Sequence, residues 1–67
     1  MIARVKKRTE LEVKNIDRSL SISQSLKVNQ EWKMIDKGNF VILSRNGVRM
    51  RIEKSIFNQY FEEIQKE

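Results

Sequence analysis

Along most of this chain apolar residues recur at every second position. Phe40-Val41-Ile42-Leu43 is a β-branched and aromatic run, Ser44-Arg45-Asn46-Gly47 interrupts it, and Val48-Arg49-Met50-Arg51-Ile52 alternates strictly between apolar and charged. A period of two is that of a strand with one buried face. Asn-Gly between two such runs predicts a hairpin with a type I′ turn, because both central residues there need positive φ. A two-residue turn at Asn46-Gly47 fixes the register: Arg45 opposite Val48, Leu43 opposite Met50, Val41 opposite Ile52. These pairs share one mostly apolar face, which predicts core. The opposite face then carries Ser44 beside Arg49 and Ile42 beside Arg51, with Phe40 next along.

The same alternation appears upstream in Thr9-Glu10-Leu11-Glu12-Val13, Leu20-Ser21-Ile22, Leu26-Lys27-Val28 and Trp32-Lys33-Met34, with a turn at Asp36-Lys37-Gly38-Asn39. A rival reading makes residues 14–35 two short helices. The serines at 19, 21, 23 and 25 oppose it, being mediocre helix formers that alternate with Leu20 and Ile22. The tail changes period: Ile56, Phe57, Tyr60, Phe61 and Ile64 form one helical stripe, with Glu53 or Ser55 placed to cap it. A helix of ~12 residues persists only if such a stripe is buried. The expected fold is mainly β, a small barrel of about five short strands with a C-terminal amphipathic α-helix, in one domain over residues 1–67.

The stretch from Leu26 to Phe57 resembles a Src-homology-3-like small β-barrel. Leu26-Lys27-Val28-Asn29-Gln30-Glu31-Trp32-Lys33-Met34-Ile35 matches that family's alternating strand, turn and core-entering strand. A distal hairpin at Asn46-Gly47 follows, and Val48 to Phe57 matches the strand that leads to a helical turn. The resemblance covers about half of the chain. Signalling members bind proline-rich peptides through clustered tyrosines and tryptophans and a late proline. This chain has one Trp, one Tyr and no Pro, so that activity is not carried over, and Trp32 is expected to point into the core. Phe40 to Phe57 is also similar to the wing and following helix of winged-helix excisionases from mobile elements. That second resemblance implies a helix-turn-helix somewhere in Val13 to Met34.

Composition narrows the function. The chain has no cysteine and no histidine, which removes disulfides, thiolate and imidazole metal ligands, and the commonest general base. Six serines without a histidine give no ordinary triad, the adjacent Glu62 and Glu63 diverge on a helix, and two isolated glycines make no phosphate-cradling loop. Neither an enzyme nor a cofactor or metal site is expected. No apolar run approaches the ~20 residues of a membrane span, and the start has no signal-peptide core, so a cytoplasmic location is expected.

Fourteen Lys and Arg against nine Asp and Glu give a net charge of +5, which favours anionic partners. The candidate binding residues fall in two groups. Phe40, Arg45, Arg49 and Arg51 belong to the hairpin, where arginines beside an aromatic suit single-stranded nucleic acid. Arg4, Lys6, Lys7 and Arg8 form a basic N-terminal segment, read either as a phosphate-contacting arm or as a solvated or frayed strand end. A competing expectation covers Phe40 and Ile42 with the C-terminal helix and leaves the arginines on the rim. The leading expectation is a small non-catalytic nucleic-acid-binding module. The alternative is a protein–protein adaptor or inhibitor, such as the small phage- or plasmid-type proteins that dock on host proteins. Homo-oligomerisation is compatible with either.

Overall fold

The computed structural model describes residues 1–64. In chain order the elements are β1 (Ile2–Val5), β2 (Thr9–Asn15), β3 (Leu20–Leu26), β4 (Glu31–Asp36), β5 (Phe40–Arg45), β6 (Val48–Glu53), α1 (Lys54–Tyr60) and β7 (Phe61–Ile64). The strands form one seven-stranded sheet in the order β3-β2-β6-β5-β4-β1-β7, and every neighbouring pair is antiparallel.

The central hairpin has the expected register: Arg45 pairs with Val48, Leu43 with Met50, Val41 with Ile52, and Ser44, Ile42 with Arg49, Arg51 on the other face. Asn46 and Gly47 both take positive φ, 50° and 80°, as a type I′ turn requires. At the second turn Gly38 has φ 91° and donates its N–H to Asp36 Oδ1 at 2.8 Å. Val41, Leu43, Met50 and Ile52 are buried, as their alternation demands. Trp32 is also buried, and its indole N–H donates to Gln30 Oε1 at 3.2 Å.

One buried cluster holds Leu26 of β3 together with Phe61 of β7, which stand at opposite ends of the strand order. In a flat sheet six inter-strand spacings would separate them by roughly 29 Å. The sheet therefore curls so that its own inner face supplies both walls of the core. The short helix contributes Phe57, whose ring stacks on Phe61 with centroids 5.3 Å apart.

The structure departs from the sequence-based expectations in several places. Seven strands replace about five. The basic N-terminal segment is not an arm at Arg4, because Ile2–Val5 lies as β1 between β4 and β7. Leu20 to Leu26 is one continuous strand, while Lys27 and Val28 fall in the turn where Asn29 takes φ 71°. The helix ends at Tyr60, and Phe61–Ile64 is β7. Phe61 carries the change of period: its N–H donates to Phe57 O and closes the last helical turn, while its φ of −127° and ψ of 160° are already those of a strand. Pairing with β1 over four residues outweighs the helical stripe, which was too short to hold itself. Glu53 stands at the N-cap without a side-chain cap bond. The stretch from Val13 to Met34 consists of strands and turns, so it holds no helix-turn-helix and the rival helical reading of residues 14–35 fails with it.

Candidate functional site

The outer face of the sheet is built by register. Ile35 pairs with Ile42, Ile42 with Arg51, and Arg51 with Lys14, so these four side chains form a row across β4, β5, β6 and β2. The adjacent row runs Lys33, Ser44, Arg49. Because alternate residues face opposite ways, each cation on this face is backed by a buried apolar neighbour in the chain, as Arg51 is by Met50 and Ile52.

A shallow groove of about 290 Å³ opens on this face, lined by Lys14, Ile16, Ser19, Phe40, Ile42 and Arg51. Its floor is apolar and two cations stand over it. The Arg51 guanidinium carbon lies 3.8 Å from the centroid of the Phe40 ring, a close cation–π contact. Phe40 and Ile42 are half-buried, and no residue of α1 lines the groove. The helix sends Phe57 into the core and leaves the groove beside Phe40 and Ile42 open.

Arg49 is tethered. Its Nη2 donates to Asp17 Oδ1 at 2.6 Å and its Nε contacts both carboxylate oxygens at 3.1 and 3.2 Å. The hydrogen bond from Arg49 holds the Asp17 carboxyl below its ordinary value of 3.8, and Asp17 in turn raises the Arg49 guanidinium above its ordinary value. Asp36, paired with Lys54 Nζ at 2.5 Å and receiving the Gly38 N–H, is lowered for the same reasons.

The predicted residues are thus not one site. Phe40, Arg49 and Arg51 share the outer face, and Arg45 is exposed at the adjoining turn. Arg4 is half-buried on β1, opposite Glu31 on one side and Glu62 on the other, and its Nη2 donates to Glu62 Oε1 at 2.6 Å. Its charge serves the ladder. Lys6, Lys7 and Arg8 lie exposed in the β1–β2 connection, which is fastened by the Lys6 N–H to Tyr60 O at 2.9 Å. Lys27 joins them, since it follows Leu26, which pairs with Thr9 next to Arg8. The sequence reading missed Lys14, Ile16 and Lys33. The alternation of β2 marks Lys14 as outward, but nothing local says that β2 lies beside β6.

Among the described residues, no cluster of acids fit to hold a metal ion is present, and no helix is long and apolar enough to cross a membrane. Comparisons with protein-family models, with curated proteins and with solved structures returned no match.

Proposed function

We propose that the outer face of the sheet binds single-stranded nucleic acid, without catalysis and with little sequence preference. The observation that carries this reading is the Arg51–Phe40 pair at 3.8 Å beside an apolar-floored groove. A guanidinium plane backed by an aromatic ring offers a base a stacking surface, while its charge attracts the phosphate. Lys14 reaches the same groove. Backbone contacts of this kind orient a strand but do not read its sequence.

Charge sets the expected strength. By register the outward side chains of the strands hold five cations, Arg4, Lys14, Lys33, Arg49 and Arg51, against five acids, Glu10, Glu12, Glu31, Glu53 and Glu62. Asp17 is bonded to Arg49, so the face as a whole carries no positive surplus. Much of the chain's +5 therefore lies elsewhere, with Lys6, Lys7, Arg8 and Lys27 as the second cluster. Affinity should be modest and should fall steeply with salt. The run from β4 through the β5–β6 hairpin to α1 also supports reading the fold as a divergent Src-homology-3-like barrel, although the function does not depend on that kinship.

Fluorescence anisotropy with single-stranded DNA and RNA at two salt concentrations tests the proposal. Binding that weakens with salt and is lost in Arg51→Ala is the expected result. Phe40→Ala should cost about 1–3 kcal/mol of binding if stacking operates. Absence of binding at low salt would falsify the reading.

A further inference from the structure

The terminal strands of the sheet are treated very differently. Exposed edges present unpaired N–H and C=O groups that can recruit another strand, and proteins usually blunt them with charge, proline or short length. β7 is blunted in this way: it has four residues, two of which are Glu62 and Glu63. β3 is not. It runs for seven residues, Leu-Ser-Ile-Ser-Gln-Ser-Leu, with no charge, proline or glycine, and among the described residues β2 is its only ladder partner.

That strand is also close to a palindrome. Read from either end it is Leu-Ser-x-Ser-x-Ser-Leu, and only Ile22 and Gln24 break the symmetry. We propose that β3 pairs antiparallel with β3 of a second copy of this chain, about a two-fold axis through Ser23. In the register that uses all seven residues, Leu20 meets Leu26, Ser21 meets Ser25, Ile22 meets Gln24, and Ser23 meets its own copy. Directly opposed residues share a face, so the leucines, the isoleucine and the glutamine lie on the inner side and the serines on the outer. Leu20, 46 % exposed, gains cover it lacks in the monomer.

Charge selects this occupant. The chain carries +5, yet the seven-residue seam contributes nothing to it, so two copies meet without like-charge contact along the strand. The strand itself offers no charge to pair with a charged foreign segment. Arg18 and Lys27 bracket the seam from outside it. The axis stands perpendicular to the sheet, which places the outer faces of both copies on the same side.

Sedimentation and light scattering on the full chain, from micromolar to millimolar, test the seam. The expected result is a rise from monomer to dimer mass. In Ser21→Lys/Ser25→Lys, like charges oppose one another at both symmetric pairs, and the dissociation constant should rise at least about tenfold. In Ser21→Glu/Ser25→Lys the same pairs carry opposite charges, and each change also faces an opposite charge on β2, at Lys14 and Glu10. This variant should dimerise as well as the parent or better. Circular dichroism and thermal unfolding confirm that both variants fold. A parent that stays monomeric throughout overturns the proposal, as does a dimer equally strong in both variants. The readout is mass alone, so loss of nucleic-acid binding would leave this result standing.

Discussion

Asp17 restrains Arg49 of the outer face through three hydrogen bonds, and its removal should show what Arg49 does when free. Asp17→Asn deletes one negative charge and releases the guanidinium, so single-stranded binding should tighten. Its log–log salt slope should steepen by about 0.7 if Arg49 then takes one phosphate. The same pair fixes a pH dependence. A carboxyl lowered in the folded state contributes its stabilisation in full above the ordinary value of 3.8 and loses it as pH falls below that value through the folded one. Carbon-detected titration of Asp17 should give a midpoint below 3.8, and Arg49→Ala should bring it back up toward that value. At Gly47, with φ 80° and open space where a Cβ would sit, the cost of substitution is conformational and not steric. Gly47→Ala should destabilise by about 1–2 kcal/mol in thermal or urea unfolding.

At the scale of elements, Phe61 joins α1 to β7 and fills the core at both. Truncating so large a buried side chain costs about 3–5 kcal/mol, so Phe61→Ala should unfold most of the population of so small a domain. Phe61→Leu, which keeps most of the volume, should leave it folded with a lowered melting temperature. The signals visible in sequence were those written locally: strict alternation at Val48 to Ile52, and Asn-Gly with its demand for positive φ. They predicted the hairpin pair by pair and placed Phe40, Arg49 and Arg51 on one surface. What sequence could not supply was which distant strands become neighbours. Lys14 entered the groove because β2 pairs with β6 at only two positions, Lys14 with Arg51 and Asn15 with Met50. The stripe from Ile56 to Ile64 has helical spacing throughout, yet its last members, the buried Phe61 and the half-buried Ile64, continue as a strand because β1 offers them a ladder. Periodicity reports what a segment prefers alone, and tertiary pairing overrode it here.

For the whole molecule, the curled sheet concentrates apolar contacts on the inside and disperses charge over the outside, with basic residues at Lys6, Lys7, Arg8 and Lys27 clear of the groove. Neutralising that cluster should weaken nucleic-acid binding uniformly across sequences and flatten its salt dependence, whereas changes at Phe40 should alter affinity with little effect on the slope. A further consequence follows from the pairing of the first strand with the last. Ile2 lies opposite Ile64 and Val5 opposite Phe61, so the contact that completes the ladder spans nearly all of the described chain. Closing so large a loop is slow, and the entropy is lost before the contacts form. On the ribosome, one flank of β1 must wait with its amides in water until the residues that will cover it have cleared the exit tunnel.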